Sequence, residues 1–150
     1  MLAGMMDKLK TMSEGMRDEA KRAMNRKFMD ACTAGCAIIA NADGVVTADE
    51  KRKMMGFMKT SDVLSLYDTG DVIKAFEAHC AKYEFDAQIG EAEALKVVSG
   101  IKNKTADARL LIRACCVIAA ADGNFDEDER AAVTRMCQEL SLDPAEFLPS

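Results

Sequence analysis

The distribution of proline limits what this chain can fold into more than any other feature. Its two prolines, Pro144 and Pro149, lie close to the C-terminal end, so residues 1–143 contain none. Proline interrupts helices because it lacks a backbone N–H and its ring clashes with the preceding turn. Aromatic residues make up only 5% of the chain, and Trp is absent, a composition that favours helix over strand. The sequence therefore predicts an all-α fold.

Length and hydrophobic periodicity indicate a compact helical protein. With 150 residues, of which 49% are hydrophobic and 30% charged, the chain can bury a substantial core without disulfides. Apolar residues recur at three- and four-residue spacing in successive segments, and turns that contain Asp and Gly separate several of these segments. We therefore expect a compact bundle of about seven helices.

Charge, hydropathy and cysteine usage exclude several classes of protein. The net charge of −5 lacks the positive field that nucleic-acid binding requires, so we expect no nucleic-acid ligand. No signal-like segment opens the chain, and no apolar run reaches the ~20 residues of a membrane-spanning helix; this predicts a cytoplasmic protein. Cys32 and Cys36 share a helical stripe with Phe28, which favours reduced core thiols over a metal or redox site.

Residues 1–25 form an amphipathic, methionine-rich segment ahead of the main helical domain, which we expect over residues 26–150. Apolar side chains in this segment repeat at helical spacing, and lysines and arginines lie between them. Two interpretations stay open. The segment folds back on its own domain, or it is mobile and packs against a partner helix or a membrane surface.

The sequence contains an internal repeat with an offset of 79 residues. Residues 36–50 read CAIIANADGVVTADE and residues 115–129 read CCVIAAADGNFDEDE, with identical residues at 8 of the 15 positions. Each copy predicts a helix, an Asp-Gly turn, an apolar plug (Val46 or Phe125) and a second helix. We expect the two helix-loop-helix units to be related by a pseudo-twofold axis.

The repeated turns have a purely structural interpretation. Thr47 with Glu50, and Asp126 with Glu129, have the spacing of capping boxes, in which side chain and backbone at a helix start exchange hydrogen bonds. The glycine of each Asp-Gly turn would end the preceding helix. In this interpretation the acidic residues hold no ligand, and the protein is a helical scaffold for protein–protein interaction.

The alternative interpretation is that the turns bind a divalent cation. The spacing Asp-Gly-x5-Glu matches the second half of an EF-hand loop. Ile39 and Ile118, however, stand where such a loop needs its first ligand, which excludes an ordinary EF-hand. Residues 122–129 carry five carboxylates, and such a density of one charge suits a hard cation bound through oxygen atoms. Both interpretations stay open on the residues alone.

Motifs for catalysis are missing from the sequence. There is no glycine-rich phosphate loop, nucleophile elbow or His-based metal motif. The single histidine, His79, precedes Cys80, and neighbours on a helix point about 100° apart, so the two do not form a catalytic dyad. We interpret His79 as a half-exposed structural residue and expect no enzymatic activity.

Three blocks and a tail stand out over about residues 26–148. In order, they read KFMDACTAGCAIIANADGVVTADEKRKMMGFMKTSD, YEFDAQIGEAEALK, CCVIAAADGNFDEDER and SLDPAEF. Together they resemble the tellurite-resistance TerB family. The resemblance implies a non-enzymatic, all-helical cytoplasmic protein of a chemical-stress response that binds a divalent cation, with Ca²⁺ as the expected ion. It also implies partners: a TerC-like protein at the inner face of the membrane and other tellurite-resistance proteins. Residues 1–25 are a candidate for peripheral membrane contact.

The resemblance implies metal ligands at the acidic positions that match the family in the two turns. These positions are Asp43, Asp49 and Glu50 in the first turn and Asp122, Asp126, Asp128 and Glu129 in the second. Asp86 matches a further shared position, and its place also fits a helix N-cap. Thr47 stands where the second copy has Asp126, so two sites of unequal affinity are expected.

Overall fold

The computed structural model consists of α-helices joined by short turns. It describes residues 2–44, 46–121, 123 and 125–148, apart from the side chains of residues 2, 3, 5 and 6. These residues form eight α-helices, two short 3-10 helices and no strand, which confirms the all-α prediction. The α-helices are α1 (Leu2–Ser13), α2 (Met16–Ala23), α3 (Arg26–Ala40), α4 (Ala48–Lys59), α5 (Thr69–Phe85), α6 (Ala87–Ser99), α7 (Thr105–Ala120) and α8 (Glu127–Glu139).

Several helices begin where the sequence supplies a capping side chain. The side-chain oxygen of Asn25 accepts a hydrogen bond from the Phe28 amide at the start of α3 (2.8 Å). The Asp86 carboxylate accepts one from the Ile89 amide at the start of α6 (2.9 Å). Such caps satisfy amide groups that have no partner inside the helix. Asp86 therefore has the N-cap role that its place in the sequence fits.

Helix α3 forms the centre of the fold. Eleven of its 15 residues are buried, and it packs against α4, α5, α6, α7 and α8. Its close approach to α7 is possible because Gly35 has no side chain: a Cβ there would lie 2.7 Å from the Sγ of Cys115. Since α3 and α7 each lead into one copy of the repeated turn, this packing brings the two turns together.

The N-terminal segment forms two helices. Gly15, with a φ of 76°, separates α1 from α2, because this left-handed backbone conformation ends one helix before the next begins. The described residues thus contain eight α-helices, where about seven were predicted.

Both N-terminal helices pack against α7. Met12 and Met16 are only 7% and 2% exposed. The Lys8 ammonium group donates hydrogen bonds to the carbonyls of Ala145 (3.0 Å) and Leu148 (3.1 Å), which links α1 to the C-terminal segment. The described part of the methionine stripe is thus covered by the chain itself. The membrane contact expected for this segment, and the domain boundary that follows it, stay predictions.

The single histidine and the six cysteines, the side chains most often used in catalysis or metal binding, are buried. His79, expected to be half-exposed, is 9% exposed; the expectation is wrong because α5 turns this side chain toward Asp30 of α3. All six cysteines are buried with free thiols, as expected for core side chains. No helix within the described residues is both long and apolar enough to cross a membrane.

Candidate cation site

The glycines of the two repeated turns have matching conformations and hydrogen bonds. After α3 the chain turns at Gly44, whose amide donates to the carbonyl of Asn41 (3.0 Å). After α7 it turns at Gly123, whose amide donates to the carbonyl of Ala120 (2.9 Å). Both glycines have left-handed φ values, 95° and 80°, which residues with a Cβ rarely adopt. Each Asp-Gly turn therefore ends its helix in the same way.

Both predicted capping boxes are present. The Thr47 hydroxyl accepts from the Glu50 amide (3.1 Å), and the Thr47 amide donates to Glu50 Oε1 (3.1 Å). Asp126 and Glu129 make the same pair of bonds, at 2.8 and 3.1 Å. A carboxylate has two oxygens and about four acceptor positions. Capping therefore uses only part of the acceptor capacity of Glu50 and Asp126.

A cavity of about 170 Å³ lies between the two units. Apolar side chains of α3, α4 and α7 form much of its wall, and Lys53 is the one basic residue that lines it. Each turn contributes two acidic residues to the lining; these are Asp43, Glu50, Asp126 and Glu129. The lining thus contains four carboxylates and one ammonium group, an excess of acidic groups that favours cations. The fold thus joins acidic residues from both copies of the repeat.

The other predicted ligands lie elsewhere or outside the description. Asp49 is exposed and forms an ion pair with Arg52 of its own helix. Asp128 is exposed in the first turn of α8, and Asp86 caps α6. None of these three lines the cavity. Asp122 lies outside the described residues.

The cavity holds no ready-made metal cluster of described side chains. Over residues 2–44, 46–121, 123 and 125–148, no three His, Cys, Asp or Glu side chains are grouped so that they could hold a metal ion. A cation in the cavity would therefore use water for several of its ligands, as Ca²⁺ and Mg²⁺ do in open sites. The ligand roles of all the acidic residues named above stay predictions.

Three cavity residues of α4 were not predicted from the sequence. Lys53, Met54 and Phe57 of α4 line it together with Glu50. They follow Glu50 at intervals of three, four and seven residues, the spacing of one helix face. This periodicity is the signal that could have identified them.

The two apolar plugs of the repeat contact different neighbours. Val46 lines the cavity, whereas Phe125 lies beside Leu9 and Met12 of α1 and near Phe147. The two copies therefore differ at this position, because α1 packs next to the second copy.

The buried thiols are poor candidates for metal or redox chemistry. Burial raises the pKa of Cys116 and Cys137 to about 12 and that of Cys80 to about 11. The thiolate is the form that attacks electrophiles and binds metals. Because these thiols stay protonated near neutral pH, their reactivity is low.

Comparison with known proteins adds a family to this geometry. The family model described as tellurite resistance protein TerB matches residues 29–148. The chain belongs to the TerB family. This confirms the resemblance carried by the repeated ADG turns and their flanking blocks. A curated relative from Alcaligenes sp., named Tellurium resistance protein TerB, is 36% identical over 111 residues, which is 71% of this chain and 91% of the relative. No solved structure matches the chain significantly.

Proposed function

We propose that this TerB-family protein acts in tellurite resistance by binding one divalent cation, Ca²⁺ first among them, between its two acidic turns, and that it catalyses no reaction. The observation that carries the proposal is the convergence of acidic residues from both turns on one cavity. Capping needs only one acceptor beside each helix start, which leaves acceptor positions on Glu50 and Asp126. The packing of α3 against α7 brings the turns together, and a cation between them would offset the repulsion among carboxylates that line one cavity.

Glu50 and Asp126 are the principal ligands in this proposal, one from each capping box. Asp43 and Glu129 add oxygen atoms or second-layer charge, and water fills the remaining positions. Few charged ligands and an open cavity favour modest affinity, with a dissociation constant of roughly 10⁻⁴–10⁻³ M. The two turns, which were expected to form sites of unequal affinity, then act on a single ion.

The capping boxes allow a test that separates cation binding from helix stability. Glutamine can replace glutamate in a capping box, and asparagine is as good an N-cap as aspartate. The double variant Glu50→Gln/Asp126→Asn therefore keeps both boxes and removes two negative charges from the cavity. Its matched control is Asp68→Asn/Glu93→Gln, which neutralises the N-cap of α5 and an exposed glutamate of α6, neither of which lines the cavity.

Calorimetric titration with Ca²⁺ measures the outcome. A unit charge ~5 Å from a divalent ion contributes about 1.7 kcal/mol even at the dielectric constant of water, which is more than tenfold in affinity. Because the cavity variant lacks two charges, we expect its affinity for Ca²⁺ to be at least ~100-fold lower than that of the wild type, whereas the affinity of the control should stay within ~2-fold. Equal loss in both variants would contradict the proposed location of the ion.

A ligand-free interaction scaffold is the second candidate function. It is favoured by the completeness of both capping boxes and by the lack of a three-residue metal cluster among the described side chains. This candidate predicts no heat on titration with Ca²⁺, Mg²⁺, Mn²⁺ or Zn²⁺ in any variant. It also predicts that the neutralised cavity variant binds partners as well as the wild type does.

We also propose that the ion-loaded turns present a surface to a TerC-like membrane protein and to other tellurite-resistance proteins. Membership of the TerB family supports this part of the proposal, and so does the exposure of Asp49 and Asp128 beside the cavity residues in sequence. Membranes that contain the TerC-like protein should retain the wild-type chain in Ca²⁺ and release it with a chelator. Retention that is unaffected by the chelator would count against a role for the ion.

We also propose that the two helix-loop-helix units are related by a pseudo-twofold axis near this cavity. Their glycine turns and capping boxes make corresponding hydrogen bonds, which supports the proposal that they arose by duplication and bind the ion between them.

A further inference from the structure

A second cleft lies on a face that shares no lining residue with the cation cavity. It has a volume of about 290 Å³ and is formed by the start of α3, one face of α5 and Val97 of α6. Its charged lining residues are three basic ones, Arg26, Lys74 and Lys82, and one acidic one, Asp30. The cleft thus has an excess of two positive charges in a protein whose net charge is −5.

The basic side chains of this cleft are unpaired within the part of the chain that the structure describes. Among the described residues, Arg26, Lys74 and Lys82 make no ion pair within 4.0 Å and no side-chain hydrogen bond. None of the three acidic residues of α5, Asp71, Glu77 and Glu84, lines the cleft. Glu84 pairs with Lys51 of α4, and Glu77 also acts on Lys51.

Two arginines of another cleft are neutralised by ion pairs. That cleft is lined by Arg22, Arg109 and Arg113, together with Glu19 and Asp107. Arg113 pairs with Glu19 of α2, and Arg109 pairs with Glu146 while lying over the ring of Phe147. Those cations hold helices together, whereas the three in the cleft beside α5 contribute to no such contact.

His79 lies at the wall of the same cleft. It is the single histidine of the chain and is 9% exposed. Burial lowers its pKa, the positive charge of Lys82 lowers it further, and the charge and carbonyl of Asp30 oppose both effects. Arg26 and Lys74 are the other charged groups that line the cleft, and α6 contributes only apolar Val97. An added negative charge in the cleft would therefore favour the imidazolium form.

We propose that this cleft binds a phosphate group. The guanidinium of Arg26 can bind two oxygens of a tetrahedral oxyanion, and the lysines act as point charges on the others. Three separate cationic groups match the tetrahedral oxygens of a phosphate group better than the planar oxygen pair of a carboxylate. The phosphate comes from a free anion or from a lipid headgroup, two sources that share this chemistry.

The single histidine provides a direct measurement. The Cε1 proton of His79 gives one NMR signal, whose titration between pH 5 and 8 reports its pKa in sodium phosphate and in sodium chloride of equal ionic strength. We expect phosphate to shift the signal saturably and to raise the pKa by about one unit. The variant Arg26→Gln/Lys74→Gln should lose this response. The control Arg22→Gln/Lys96→Gln removes the same charge outside the cleft and should keep it.

Vesicles separate the two sources of phosphate. Saturable binding of inorganic phosphate identifies a free anion as sufficient. If inorganic phosphate gives no shift, cosedimentation with phosphatidylglycerol vesicles but not with phosphatidylcholine vesicles, lost only in the cleft variant, identifies the lipid headgroup. The proposal is overturned if chloride and phosphate act alike and vesicles bind both variants equally, or if neither probe binds. Because these residues lie outside the cation cavity, failure here leaves the proposed cation site untouched, and the reverse also holds.

Discussion

Replacing Gly35 by alanine tests the close contact between α3 and α7, the helices that lead into the two acidic turns. The new Cβ would lie 2.7 Å from Cys115 Sγ and 3.3 Å from Met136 Sδ. Methionine can move, but Cys115 is 1% exposed and has a single side-chain torsion. Overpacking of this kind costs about 1–3 kcal/mol, and alanine regains about 1 kcal/mol of helix propensity. We expect Gly35→Ala to lower the free energy of unfolding by up to about 2 kcal/mol.

Two further variants isolate the steric effect. Gly56→Ala in α4 meets no atom within 4 Å and should raise the free energy of unfolding by about 0.5–1 kcal/mol. Cys115→Ala removes the clashing sulfur. The double variant with Gly35→Ala should therefore have a free energy of unfolding about 1–2 kcal/mol higher than the value calculated by adding the two single losses. Urea denaturation measures all of these values. If Gly35→Ala proves as stable as Gly56→Ala, or the double variant shows no coupling, the packing argument fails.

Three other predictions concern buried or anchoring side chains. Lys8→Met removes both hydrogen bonds to the C-terminal segment. It should lower the free energy of unfolding by about 1 kcal/mol and speed amide hydrogen exchange in α1, and unchanged exchange would show that Lys8 does not anchor this helix. Burial lowers the pKa of His79, so the unfolded chain binds the proton more readily and the wild-type chain loses stability as the pH falls below about 6.5. The free energy of unfolding of His79→Gln should therefore fall less between pH 7 and pH 5, and parallel plots of this free energy against pH for the two proteins would refute the prediction. Because burial raises the pKa of Cys80 to about 11, about 0.1% of this thiol is ionised at pH 8. All six buried cysteines should react with a disulfide reagent only after denaturation, and a thiol that reacts fast in the folded chain would contradict this burial.

The local features of the fold could be predicted from the sequence because they depend on neighbouring residues. The capping boxes at Thr47 and Asp126 and the N-cap at Asp86 follow from spacing within one turn of helix. The family followed from the repeated turns and their flanking blocks.

Features that depend on packing could not be predicted in the same way. The shared cavity requires α3 and α7 to approach at Gly35, a contact between residues distant in sequence. Burial of His79 depends on which face of α5 meets α3, and Phe125 differs from Val46 because α1 packs beside it. The cleft around Arg26 likewise draws its charges from two helices whose relative position no local pattern specifies.

The number of calcium ions bound per chain distinguishes one shared site from two separate ones. One cavity lined by both turns predicts a single binding isotherm with one ion per chain. Glu50→Gln in the first turn and Asp126→Asn in the second should each weaken that same isotherm by about tenfold without changing the number of ions. Two independent ions, each abolished by one variant only, would contradict a shared site, and a calorimeter that records no heat with the wild-type chain would leave helix capping as the whole role of these residues.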